Sequence, residues 1–190
     1  MHHFIMKKII CVIFILLPAM GFSQLNFDTT KVLSQVLDDS ADSEFFTSYD
    51  GLVPLARSAN FIEIRLYEVH VPAGRQEVRV ISFDGKGWQG KLVSFKPPVT
   101  GLSLYPKNSF IAVFNALNRE GLFQLRNQKE TGRSSGMTDG VFYIICYKAG
   151  AKFRKILFNN PREGLKLNPT VKEFRQYCEI VRIFSEDLVK

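Results

Sequence analysis

Two runs of β-forming residues, 77–83 and 88–95, are separated by Asp84-Gly85-Lys86-Gly87. An Asp-Gly start between two such runs signals a hairpin, because the turn needs residues that accept positive φ. Strands joined so tightly pair antiparallel, since parallel neighbours need a crossover of a dozen or more residues. The run before them, 61–71, alternates Ile62, Ile64 and Leu66 with Glu63 and Arg65. That period of two predicts a strand with one face buried and the charged face in solvent. Pro72-Ala73-Gly74 turns it into the hairpin, and Pro97-Pro98 ends the third strand, because proline cannot donate to a ladder. A second hairpin is predicted from runs 141–147 and 152–158 around Lys148-Ala149-Gly150-Ala151.

Helical spacing fills the intervals. Asp28, Thr29 and Thr30 can cap a short helix bearing Val32, Leu33, Val36 and Leu37 on one stripe. Asn108 or Ser109 can cap a second, with Phe110, Val113, Phe114 and Leu117 on one face and a stop near Gly121. Asn168-Pro169 opens the last, where Val171, Phe174, Cys178, Val181 and Phe184 recur every three or four residues. Residues 121–125 read as a further short strand, and 126–140, rich in Lys, Arg, Ser, Thr and Gly, as the longest mobile loop. Residues 45–60 are too mixed for an assignment. The whole predicts an α+β fold: a single, mainly antiparallel sheet of five or six strands in two hairpin groups, with about three helices packed on it.

The N-terminus has a different character. Lys7 and Lys8 precede an apolar run at 9–17, followed by Pro18, Gly21 and Ser23, the order of a cleavable secretory signal. The apolar run falls short of the roughly 20 residues that a membrane span needs. Small residues at Gly21 and Ser23 place the cut between Ser23 and Gln24. The ending Gly21-Phe22-Ser23-Gln24 resembles signal peptides of the Bacteroidetes group of Gram-negative bacteria. The expected organisation is therefore a signal peptide at 1–23 and one domain at 24–190, exported to the periplasm or secreted, with no transmembrane span after cleavage.

Charge and cysteine content bear on partners. The formal charge is +7, two of which belong to Lys7 and Lys8. A moderately basic exported domain favours anionic partners such as an envelope component or an acidic protein, and its compartment excludes nucleic acid. Lys148, Lys152, Arg154, Lys155, Lys172 and Arg175 crowd the C-terminal third and form a candidate anionic-partner patch if the second hairpin and last helix expose them together. Otherwise they are a solvated surface. Cys11 leaves with the signal, so Cys146 and Cys178 remain. Both are expected to face one core, where a bridge would stabilise by about 3 to 4 kcal/mol on the chain-entropy model. Two buried thiols are the other reading.

Three motifs resemble catalytic machinery and lack its context. Gly85-Lys86-Gly87-Trp88-Gln89-Gly90 matches a dinucleotide glycine pattern, but a strand follows where a helix must present its N-terminus, so the glycines read as a turn with Gly90 a bulge. Gly132-Arg133-Ser134-Ser135-Gly136 matches a nucleophile elbow, yet His70, the one histidine after the signal, precedes it. A lone His70 also leaves zinc without enough ligands. No cofactor or metal is called for. Carboxylates such as Glu63, Glu68, Asp84 and Asp139 could converge in space, though no spacing favours a pair. The expectation is a non-catalytic binding or accessory domain, with a small carboxylate-dependent periplasmic hydrolase as the alternative.

Overall fold

In the computed structural model, residues 52–71, 73–95, 99–136 and 139–190 are described. The signal, its Ser23–Gln24 cut, the helix expected around Val32 to Leu37, and Pro72, Pro97 and Pro98 lie outside them. Strands β1 (Ile62–Val71), β2 (Arg75–Phe83), β3 (Trp88–Ser94), β4 (Thr100–Ser103), β6 (Gly140–Ala149) and β7 (Lys152–Asn159) form one antiparallel sheet in the order β4-β3-β2-β1-β6-β7. The first four strands run as a meander. The second hairpin then docks on the far side of β1, which becomes a central strand between β2 and β6. A two-stranded ribbon joins β5 (Tyr105–Pro106) to the C-terminal β8 (Leu188–Val189). The fold is α+β, as expected.

Asp84 sets the first hairpin. Its carboxylate accepts from the amides of Lys86 at 2.7 Å and Gly87 at 2.8 Å, and Gly85 takes φ +96°, so the glycine pattern is a turn. Those amides hold the Asp84 carboxyl below the usual carboxylate range. Gly90 has a separate task. A Cβ there would lie 2.6 Å from the Leu104 carbonyl and 3.0 Å from the Phe110 ring, so only glycine lets the chain leaving β4 cross so closely.

The helices are α1 (Phe110–Arg119), α2 (Gln128–Thr131), α3 (Pro161–Leu167) and α4 (Lys172–Arg182), the last running into a π-turn at Ile183–Asp187. Ser109 caps α1 by accepting from the Ala112 amide at 3.1 Å. α1 and α4 lie over the same sheet face. Phe114 of α1 stacks with Trp88 at 5.2 Å and with Phe123 at 5.6 Å, and Phe123 meets Tyr147 edge-on at 5.1 Å. Farther along the same face, Phe158 packs against Phe174 and Tyr177 of α4 at 5.3 and 4.3 Å. Aromatic pairs at these separations add to the area they bury.

The structure departs from the sequence reading in four places. Residues Leu122–Gln124 are a 3-10 turn rather than a strand, because Gly121 at φ +77° redirects the chain under α4. β4 and α3 are additional elements, and α3 tolerates Gly164 because the Phe174 ring lies where a Cβ would sit. The interval read as a mobile loop contains α2, whose start is tied to the sheet. Finally, the opposite face of the sheet is also apolar: Tyr67, Val78, Val80, Ile144 and Cys146 cluster with Leu55 of the 3-10 turn Leu55–Arg57.

That second face corrects the cysteine expectation. Cys146 shares a face with Ile144 and Tyr67, whereas α4, which carries Cys178, covers the face of Tyr147 and Phe158. The sheet stands between them, and no disulfide joins the two thiols. Burial pushes the Cys178 thiol up to about 11, so it is protonated at neutral pH and a poor nucleophile.

Candidate functional site

The charged residues of β1 were expected to face solvent. Instead Glu63 and Arg65 are buried, at 4% and 3% exposure. Two positions apart on one strand, they point to the same face and neutralise one another. Arg65 Nε donates to Glu63 Oε1 at 2.6 Å, and its Nη2 donates to the Val53 carbonyl at 2.6 Å. The other carboxylate oxygen accepts from Asn60 Nδ2 at 2.7 Å and from the Ser58 hydroxyl. Burial alone would raise the Glu63 carboxyl, but the Arg65 guanidinium and the Ser58 and Asn60 hydrogen bonds outweigh it and hold the group below the usual carboxylate range. Lys148 stands opposite Glu63 across the β1–β6 ladder and donates to the Ser58 carbonyl.

These groups form the wall of a cavity of about 560 Å³, bounded by the 52–60 segment, β1, β2, β3 and β4. Arg57, Arg65 and Lys91 supply positive charge to its lining, and Glu63 is the one carboxylate among the described lining residues. Arg57 and Lys91 are exposed at its mouth. Among the described residues no carboxylate pairs with either. Gly90, Gly101 and Ser103 continue the wall to the edge of the sheet. Hydrogen-bonding side chains, including Ser82 and Gln89, alternate with Leu52, Val53, Val80 and Leu102.

β4 is that edge. All four of its residues are exposed, and Leu102 and Val99 carry 48% and 63% of their surface in solvent. The Leu104 amide bonds the Gly90 carbonyl at 3.0 Å, so antiparallel alternation turns the amides of Thr100 and Leu102 toward β3 and those of Gly101 and Ser103 away from it. Among the described residues nothing pairs with those two outward positions.

The opposite edge is closed. Asn127 Nδ2 donates to the Lys155 carbonyl at 3.1 Å, its Oδ1 accepts from the Leu157 amide at 2.7 Å, and Gln128 Oε1 accepts from the Asn159 amide at 2.7 Å. Two side-chain amides thus stand in for a seventh strand. Glu130 accepts from the Asn127 amide at 2.6 Å and from Arg154 at 2.9 Å, fixing α2 on β7, and Arg126 donates to Glu173 of α4 at 2.7 Å.

The other candidates named from sequence are dispersed. Glu68 lies on the helix-covered face, held by His70 at 2.8 Å and Arg79 at 3.2 Å, and Asp84 belongs to its hairpin. The Asn160 side chain donates to the Asp139 carbonyl at 2.6 Å, at the far end of β6. No two of these carboxylates share the cavity. Of the basic residues, Lys148 and Lys155 face the cavity side of the sheet, Lys152 and Arg154 face the helix side, and Lys172 and Arg175 lie exposed on α4. Arg154 is itself buried and ion-paired with Glu130. Among the described residues no cluster of three or more His, Cys, Asp or Glu could hold a metal ion, and no helix is long and apolar enough to cross a membrane.

Comparison with protein-family models, with curated proteins and with solved structures finds no match.

Proposed function

We propose that this chain is an exported, non-catalytic binding or accessory domain of the periplasm or cell envelope, and that it engages its partner along β4 and the cavity beside it. The observation that carries the reading is the open β4 edge in a fold that closes its other edge with dedicated side chains. Exposed strand edges are templates for pairing, and chains usually blunt them unless pairing is their purpose. The cavity supports the same reading. Glu63 is saturated with donors and held in its charged form, which suits a structural anchor and not a general acid or base whose pKa must sit near the working pH. The carboxylate-dependent hydrolase would need two carboxylates flanking a substrate, and the described lining offers one.

The test introduces a photo-crosslinking residue at Ser103 and, as a control, at Lys166, an exposed position on α3. In the producing cells a discrete heavier adduct is expected from position 103 and none from 166. Equal adducts at both positions, or none at 103, would remove β4 as the binding edge. Export is checked on the same material by N-terminal sequencing. A chain beginning at Gln24 in the envelope fraction is expected, and one retaining Met1 or Met6 in the cytosol would end the reading.

A further inference from the structure

The β4 edge and the cavity are continuous, and the charge along their junction is one-sided. Ser103 and Gly101 lie on the cavity face of the sheet, opposite Lys91 and Val93 of β3. A strand added outside β4 would bond the outward groups of Gly101 and Ser103. It would set the side chains opposite them on that same face, because directly paired residues share a side. Gly101 offers no side chain there. In its place lies the stem of Lys91: Cε is 3.1 Å, and Nζ 3.8 Å, from where a Gly101 Cβ would be. The ammonium thus lies at the spot that a partner residue opposite Gly101 would face. Arg57 adds a second exposed cation at the cavity mouth. Glu63 cannot answer either charge, since Arg65, Asn60 and Ser58 occupy its oxygens.

Resting on the binding role proposed above, we infer that the occupant of β4 is an extended segment of another protein that pairs antiparallel or parallel with Gly101 and Ser103 and places an acidic side chain beside Lys91. A second copy of this chain fits less well. Edge-to-edge pairing of two β4 strands would bring Lys91 and Arg57 of each copy toward those of the other, and like charges across a ladder are destabilising. The formal charge of +7, of which Lys7 and Lys8 supply two and leave with the signal, still leaves a net positive chain and opposes self-association further.

The probes are blocked hexapeptides alternating valine with glutamate, glutamine or lysine, added to the whole isotopically labelled chain at low salt. Hydrogen exchange is read residue by residue. The valine–glutamate peptide is expected to slow exchange at the Gly101 and Ser103 amides by about tenfold when present at about ten times its Kd, leaving Leu157 and Asn159 unchanged. The lysine peptide is expected to give no protection. Ser103→Pro, which deletes one outward donor, and Lys91→Glu are each expected to abolish the effect, and Lys91→Glu to transfer the preference to the lysine peptide. Equal protection by all three peptides would overturn the acidic chemistry while leaving β4 a docking edge. Protection that grows with protein concentration and without peptide would replace the partner by a second copy. Absence of protection with every peptide would overturn the inference outright, while the crosslinking result would still stand on its own for the binding role.

Discussion

The six-stranded sheet ends in two strands that solve the same problem in opposite ways. β7 is eight residues long and faces a segment whose Asn127 and Gln128 side chains occupy its outward hydrogen-bonding groups. β4 is four residues long, exposed throughout, and bordered by a cavity and by two cations, Arg57 and Lys91, that no carboxylate among the described residues pairs with. Shortness limits pairing at one edge and dedicated side chains block it at the other. The contrast teaches that concealment here is selective, and that the exposed strand is the short one, where the risk of indiscriminate pairing is smallest.

The largest effect is expected at the charged pair that supports the β4 side. Glu63→Ala would leave the Arg65 guanidinium buried without its counter-ion, a change that costs about 3 to 5 kcal/mol. Urea unfolding of the variant measures it. The pH dependence has a definite sign. The folded Glu63 carboxyl lies below its unfolded value, so its contribution is complete above the ordinary carboxylate range near about 4.3 and is lost as pH falls through the lower folded value. Glu63→Gln should therefore lower stability at neutral pH and flatten the acid limb of the curve. An unchanged acid limb would show that another carboxylate governs acid unfolding, and that the cavity wall is not the weak point of this side.

Next in size is the seal on β7. The double substitution Asn127→Ala and Gln128→Ala would strip partners from the Leu157 and Asn159 amides and the Lys155 carbonyl. Each such group, left unsatisfied in a part-buried place, costs about 1 to 3 kcal/mol, reduced wherever water can enter. A loss of about 2 to 4 kcal/mol in urea is expected, with faster exchange at Leu157 and Asn159 and concentration-dependent association through the bared strand. If the variant stays monomeric and loses less than about 0.5 kcal/mol, the side chains decorate β7 without closing it, and the contrast between the edges collapses.

Much of this was legible in the sequence. The two hairpins, α1 and α4 follow from local turn chemistry and apolar period, and those signals need no tertiary knowledge. What stayed hidden depended on distant partners. β4 follows two prolines, contains Gly101 and is exposed on both faces, so no alternation marks it. Gly164 reads as a helix breaker until the Phe174 ring is seen to require it. Asn127 and Gln128 resemble ordinary loop polar residues, because no local pattern reveals that a side-chain amide will replace a backbone strand. Glu63 and Arg65 misled for the opposite reason. Their alternation is a perfect solvent-face signal, and the cue to burial was that two opposite charges two residues apart on a strand can satisfy each other. Cys146 and Cys178 were assigned to one core because each lies in an apolar pattern, while a sheet buried on both faces has two such places.

The smallest expected effect is the one that defines the open edge most sharply. Ser103→Pro removes an amide that points away from β3, so no bond within the sheet is lost, and proline is accepted in edge strands for that reason. Leu102 before it is already extended, as the residue preceding a proline must be. Stability should therefore change by no more than about 0.5 kcal/mol in urea. The same replacement at Leu157, whose amide donates to Asn127, should cost several times as much, because it leaves the Asn127 oxygen without its donor. The two prolines occupy equivalent places on opposite edges of one sheet, and because Leu157 also packs on the second core, the loss in Leu157→Ala is subtracted before their difference is read as edge closure. Equal losses would mean that the Ser103 amide already has a partner within the chain, leaving β4 no free donor to offer another protein.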